Sequence, residues 1–278
     1  MGYPCRMHAQ TELSPGTSSH SSTSDAIQVF VGSCREHWLP LKVLEYSIRR
    51  NTRSTVIVTP LYEAEIDIPE TTKTPTAFSL QRFLPPELCG FEGRAIYLDS
   101  DMVVSADIRE LWEHDMEQAK VCCCEGWQTA VTLYDCAVGW QVRDIVARLN
   151  SGEWKYKQLV NYGFESAVDH SISRLWNVID RPLRRHILNP AAKLRHFTWL
   201  PTQPWLSARH PYEHLWIDEL KRSMADGFIA KDDVLREIEL GHVRPSLAAY
   251  FGESVPDTDK GFVRPDRAKS SWTRFPGW

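Results

Sequence analysis

No run of apolar residues in this 278-residue chain approaches the roughly 20 needed to cross a bilayer, so no membrane span is expected. The first residues lack the apolar core of a secretory signal. Met1-Gly2 does not open a myristoylation signal either, because Arg6 stands where Ser or Thr is required. There is no excess of positive charge. The 32 Lys and Arg face 36 Asp and Glu, for a net charge of −4, which leaves no basic footprint for nucleic acid. The local group Arg181, Arg184 and Arg185 reads as a solvated face. The chain has no G-x-G-x-x-G and no Walker loop, which removes the classical dinucleotide and P-loop sites, and it has no internal repeat. Zinc spacing is also missing among the 7 cysteines, including Cys5, Cys34, Cys89 and Cys136. Cys122, Cys123 and Cys124 are consecutive in a strand-like run, so their side chains alternate between faces and the three cannot converge on one ion. They read as buried free thiols. An odd cysteine count without a secretory signal predicts a reducing, cytoplasmic setting.

What is present begins late. Residues 1–25 are rich in Ser and Thr, with almost no aliphatic residues between Leu13 and Ile27, and are expected not to fold. Residues 27–31 read as a first strand, and Gly32-Ser33 turn the chain. Pro40 suits a first helical turn, Leu41, Leu44 and Ile48 recur at helical spacing, and Arg49-Arg50 suit the C-terminal end. Residues 56–58 read as a second strand, which makes a β-α-β opening with parallel strands. A polar connection over 61–76, a short helix over 78–83 and a strand over 94–98 follow. A short amphipathic helix over 108–112, strands at 121–124 and 130–134, and a helix marked by Val142, Ile145, Val146 and Leu149 come next. Helices over 213–224 and 232–240 precede a polar tail. Their charge pattern leaves open whether they pack on the core, meet a partner or touch a membrane surface.

The strand over 94–98 delivers Asp99-Ser100-Asp101 to its carboxyl end. Open α/β sheets bind ligands there, and two carboxylates suit a hard cation such as Mn²⁺ or Mg²⁺ that keeps positions open for phosphate oxygens. Alone, such a triplet is more often an acidic turn. Its surroundings decide otherwise. Arg82 precedes it on the short helix, and Asp107, Leu111 and Trp112 follow in a D-I-x-x-L-W segment. Much later, Arg195-His196-Phe197-Thr198 leads into Thr202-Gln203-Pro204-Trp205.

This combination resembles glycosyltransferase family 8, the retaining GT-A enzymes. The resemblance spans about residues 27–205 and points to a divergent, bacterial-type branch. It implies an α/β fold of GT-A type: a mixed, mostly parallel sheet flanked by helices, with a C-terminal helical extension. The implied layout is a tail over 1–25, a nucleotide-sugar transferase domain over 26–205 and a helical extension with polar tail over 206–278. The resemblance further implies that Asp99, Asp101 and His196 hold one Mn²⁺ (or Mg²⁺), with Arg82 beside them in catalysis. It implies donor contacts from Val31, Gly32, Ser33, Arg82, Ser100, Gln203 and Trp205. The donor would be a nucleotide sugar, UDP-hexose in the family, and the acceptor a glycan or glycolipid. No nucleic acid or transmembrane segment is implied, and peripheral contact with the inner face of a membrane is left open.

The chain departs from the family pattern at several places. Gln203 stands where the family carries the Lys that contacts the diphosphate, and Trp199 replaces a usual Gly. Ser33-Cys34 occupy the loop where an Asp near the uracil is common. Leu175-Trp176-Asn177 is a weaker match to the family's aromatic-Asn pair. Trp127, Trp140, Trp154, Trp176, Trp199 and Trp205 lie in the segment expected around the acceptor, and Trp205 is favoured by its motif. Two alternatives stand beside this reading. One is a non-catalytic sugar-nucleotide-binding or scaffold protein on the same fold. The other is a haloacid-dehalogenase-type phosphatase, for which Asp99-Ser100-Asp101-Met102-Val103 and Lys231-Asp232-Asp233 supply imitations of the motifs. Against the phosphatase, a β-α-β unit precedes Asp99, and Asp232-Asp233 read as the start of a helix carrying Leu235 and Ile238.

Overall fold

The computed structural model describes residues 26–66, 68–71, 73–74, 77–126, 128–180, 189–253 and 259. The tail over 1–25, Trp127, the basic group at 181–185 and most of the polar C-terminal tail lie outside the described residues. β1 (Ile27–Gly32) is buried along nearly its whole length, as a strand covered on both faces must be. α1 (Trp38–Asn51) follows, with Pro40 in its first turn, where a missing N–H costs nothing. β2 (Val56–Pro60) lies parallel to β1, which completes the β-α-β opening.

The segment Ala77–Phe83 is a 3₁₀ helix and not an α-helix. It gives way to the four-residue α2 (Pro85–Leu88), whose paired prolines occupy its first turn. β3 (Arg94–Asp99) runs parallel to β1, and β4 (Met102–Val104) leaves the triplet in a new direction. In the segment that follows, Asp107 Oδ1 accepts from the Arg109 N–H at 2.9 Å and starts α3 (Arg109–Trp112), which buries Leu111. β5 (Val121–Cys124) and β6 (Gln128–Asp135) follow. α4 (Val142–Ser151) buries Val142, Ile145, Val146 and Leu149, and stops at Gly152 with φ 85°, a conformation that favours glycine. α5 (Tyr156–Val160), β7 (Val168–Ile172), β8 (Val178–Ile179) and β9 (Leu194–His196) come next. α6 (Glu213–Ala225) and α7 (Lys231–Glu239) complete the order.

The main sheet has 6 strands in the order β2-β1-β3-β6-β5-β7. The β1–β2, β1–β3 and β5–β7 pairs are parallel, while β6 is antiparallel to both neighbours. The fold is therefore the expected mixed, mostly parallel sheet flanked by helices. A second sheet, β4-β9-β8, has 3 strands and was not expected from the sequence. Its strands of 2 or 3 residues are too short to carry a period. Its function in the fold is to pair Met102 with His196, which brings residues far apart in the chain into one place.

α1 is buried on two sides. Leu41, Leu44 and Ile48 join the core under the sheet, while Leu39 and Val43 join a second core with Trp205, Trp216, Leu220 and Val234. The C-terminal helices thus pack on the main body through α1. Asp232 and Asp233 sit in the first turn of α7, as the helix reading required. The thiols of Cys122, Cys123 and Cys124 are fully buried and free. Burial pushes the Cys122 and Cys123 thiols up to about 12, so without a bound metal both are neutral thiols at physiological pH. Among the described residues, no helix is long and apolar enough to cross a membrane.

Candidate metal centre

Alternation along β3 places Tyr97 and Asp99 on the same face of the strand. The Tyr97 hydroxyl donates to Asp99 Oδ1 at 2.6 Å. Gly32 lies opposite Asp99 in the β1–β3 register, and a β-carbon built on it would fall 2.1 Å from the Tyr97 hydroxyl oxygen. Glycine is required here because the tyrosine occupies the space a side chain would take. The Ser100 N–H donates to the Gly32 carbonyl at 3.1 Å, which carries the β1–β3 pairing into the triplet. The Phe197 N–H donates to the Asp101 carbonyl at 2.8 Å and carries the β4–β9 pairing in from the other side. Asp101 is therefore held where two sheets meet.

His196 is the last residue of β9, with a side chain 7% exposed. Its Nδ1 lies 2.9 Å from Asn177 Oδ1, which turns Nε2 towards the two carboxylates. Nε2 lies 2.9 Å from Asp101 Oδ1 and 4.0 Å from Asp99 Oδ2. The other Asp101 oxygen, Oδ2, accepts from Gln203 Nε2 at 3.1 Å. Each of the three side chains thus has one atom fixed from outside and one turned inward: Asp99 Oδ2, Asp101 Oδ1 and His196 Nε2. One atom from each lies within 4.8 Å of the others. Two carboxylate oxygens and one imidazole nitrogen in this arrangement could hold a divalent cation.

The electrostatics agree with that fit. Burial pushes the Asp99 carboxyl up and the neighbouring Asp101 charge adds to the shift, against the opposing pull of Arg82, His196 and the Tyr97 hydroxyl. Burial pulls the His196 imidazole down, but Asp101 and Asp99 outweigh it and the net shift is upward. Both shifts describe a cluster that draws positive charge towards it. Arg82 contributes some of that charge. Its Nη2 lies 3.9 Å from Asp99 Oδ1, its Nη1 donates to Thr129 Oγ1 at 2.8 Å, and its guanidinium lies over the Tyr97 ring. Arg82 Nε and Gln203 Oε1 are buried polar atoms without a hydrogen-bond partner.

The other residues singled out from the sequence fall into different places. Ser100 is 3% exposed, and its hydroxyl lies 3.0 Å from His37 Nδ1. Val31 and Ser33 are fully buried, Val31 in the core under the sheet and Ser33 with its N–H bonded to Gln81 Oε1 at 2.9 Å. Two expectations change. Gln203, expected against a donor diphosphate, is fully buried, and its Nε2 is shared between Asp101 and the Phe197 carbonyl. Trp205, expected to face a ligand, is also fully buried and packs against Trp216 and the edge of His37. Both residues support the site from behind.

Sequence reasoning missed two contributors, His37 and Asp180. His37 reaches Ser100 from just before α1. Asp180 accepts from the N–H of Thr198 at 2.7 Å and from its hydroxyl at 2.9 Å, and lies 2.5 Å from His210 Nε2. These bonds anchor the loop that follows His196, and hydrogen bonds to the charged form hold the Asp180 carboxyl below its ordinary range despite its burial. Only its place directly after the apolar pair Val178-Ile179 could have signalled that role.

No protein-family model matches the chain. Protein CDI of Arabidopsis thaliana is 24% identical over 232 residues, covering 72% of this chain and 88% of that protein. Among solved structures, galactosyltransferase LgtC in complex with donor and acceptor sugar analogs aligns with a TM-score of 0.52 at 12% identity, over 71% of this chain and 95% of LgtC. The glycosyltransferase GlyE of Streptococcus pneumoniae aligns with a TM-score of 0.52 at 16% identity, over 78% of this chain and 65% of GlyE. The bifunctional glycosyltransferase WbbM also reaches 0.52, at 15% identity, over 72% of this chain and 50% of WbbM. The chain has the GT-A fold of glycosyltransferases.

Proposed function

We propose that this protein is a metal-dependent, retaining glycosyltransferase of the family 8 type. In this reading it moves a hexosyl group from a nucleotide sugar, UDP-linked, to a hydroxyl of a glycan or glycolipid. The observation that carries it is the inward set of Asp99 Oδ2, Asp101 Oδ1 and His196 Nε2, each fixed by a partner behind it. The fold shared with LgtC and GlyE supports a sugar donor. A divalent ion held by these three residues supplies charge neutralisation for a diphosphate leaving group.

The chain's own residues supply the rest. Arg82, with a side chain 13% exposed, adds fixed positive charge beside Asp99, where negative charge develops on the departing diphosphate. Tyr97, Gln203 and Asn177 fix the ligand atoms, so little reorganisation is needed at the moment of reaction. The sugar would pass through an oxocarbenium-like state, and attack by the acceptor hydroxyl on the same face retains configuration without a protein nucleophile. The reading assigns a cytoplasmic enzyme whose membrane contact, if its acceptor is a glycolipid, is peripheral.

One observation favours a second reading, binding without turnover: uncharged Gln203 leaves the diphosphate without the family's lysine. A panel of nucleotide sugars, assayed for Mn²⁺-dependent hydrolysis and transfer, separates the two. Turnover is expected with at least one UDP-sugar, with a loss of more than about 100-fold in Asp101→Asn at unchanged melting temperature. Tight binding with no turnover would select the second reading. Phosphate release from simple monoesters would reject both.

A further inference from the structure

A second cluster of metal-binding side chains lies away from the triplet. Asp169 on β7 is the register partner of Cys122 on β5, so their side chains leave the sheet on the same face. His114 follows α3 and reaches the same spot, and one donor atom from each of His114, Cys122 and Asp169 lies within 4.8 Å of the others. The loop that carries His114 is held in place. Arg94 Nη1 donates to the carbonyls of Trp112 at 2.9 Å and His114 at 3.2 Å, and Leu111 anchors α3 in the core that contains Cys122. Ser171, two residues beyond Asp169, places its hydroxyl 2.7 Å from His114 Nε2. Three separate stretches of chain thus bring one sulfur, one nitrogen and one oxygen donor together at the edge of the main sheet.

We propose that His114, Cys122 and Asp169 form a second metal site, selective for Zn²⁺ or a similarly borderline cation. A thiolate and an imidazole favour such ions over Mg²⁺ and Mn²⁺, which suit the oxygen-rich triplet site. Tetrahedral ligands about 2.0–2.3 Å from zinc lie about 3.3–3.8 Å apart, so the cluster needs a contraction of about 1.5 Å at most to close on an ion. Binding exchanges the Cys122 S–H bond for a sulfur–metal bond, and the proton leaves to solvent. Cys122 is fully buried while His114 and Asp169 are half-buried, so the open fourth position faces outward, where water can fill it. Closed on an ion, the three ligands tie the edge strand β7 to β5 and to the loop after α3, independently of the sugar-transfer reading.

Co²⁺ serves as the probe, added to the full chain. The expected result is a thiolate-to-cobalt absorption band in the near ultraviolet, reversed by one equivalent of Zn²⁺. Cys122→Ser should abolish the band, and His114→Gln, at a half-buried position, should weaken Co²⁺ binding by about 10-fold or more. Asp101→Asn should leave it unchanged. Zn²⁺ should raise the melting temperature of Asp101→Asn but not of Cys122→Ser. No band in the folded wild-type chain, or a band of equal strength in both Cys122→Ser and His114→Gln, would overturn the proposal.

Discussion

Nineteen positions separate Asn177 from His196, yet the amide of one decides which nitrogen of the other faces the carboxylates. Such a positioning residue leaves its trace in metal affinity before it leaves one in stability. Asn177→Ala should weaken Mn²⁺ binding by about 10- to 100-fold, measured by the loss of free Mn²⁺ signal on titration. Gln203 carries both burdens, because its Nε2 serves Asp101 and the Phe197 carbonyl together. Gln203→Ala should weaken Mn²⁺ binding and also cost about 1–3 kcal/mol in urea unfolding, since a buried carbonyl and a half-buried carboxylate lose their donor. Unchanged Mn²⁺ affinity in both variants would show that the ligands need no support. At this scale the sequence was only partly legible. Asp99, Asp101 and His196 could be picked out by motif. Whether Gln203 and Trp205 faced a ligand or the core could not, because motif position does not encode side-chain burial.

Between elements, β1 and β3 show how a strand end becomes a site. Both are nearly continuous apolar runs, and their parallel pairing was readable from the β-α-β opening. The contact of Gly32 with Tyr97 was not, because it depends on the register of Gly32 with Asp99. Gly32→Ala should destabilise by about 1–3 kcal/mol through overpacking. Tyr97→Phe in the same chain should recover part of that loss, and the double-mutant cycle measures the coupling. Fully additive effects would mean that the two strands do not meet as described. The 3₁₀ helix over Ala77–Phe83 and the β4-β9-β8 sheet belong to the same lesson. Short elements take their form from what they pack against, so local pattern does not announce them.

Across the molecule, α1 joins the sheet to the C-terminal helices, and polar links secure that junction. The Tyr46 hydroxyl donates to Asp226 at 2.5 Å, and Arg50 Nε reaches Glu219 at 2.8 Å. Burial and the Asp226 carboxylate push the Tyr46 phenol from 10.0 up to about 12. A folded-state pKa above the unfolded one means that the folded form holds the proton more tightly. The stabilisation is therefore complete below pH 10 and is lost as pH rises from 10 to about 12. Tyr46→Phe should lower stability at neutral pH and flatten this alkaline fall, as followed by urea unfolding across that range. A wild-type curve with no steeper fall than the variant's would contradict the coupling of α1 to α6.

The sequence by itself determined the fold class and pointed to Asp99, Asp101 and His196, which the structure brings together. Apolar runs, helical spacing and the residues around Asp99 are local, and local patterns survive in one dimension. Only the tertiary structure decided that Trp205 and Gln203 lie inside, that Asn177 and Asp180 stand behind the site, and that Cys122 meets His114 and Asp169. Each of those facts rests on strand register and on contacts between distant segments, which chain order does not contain.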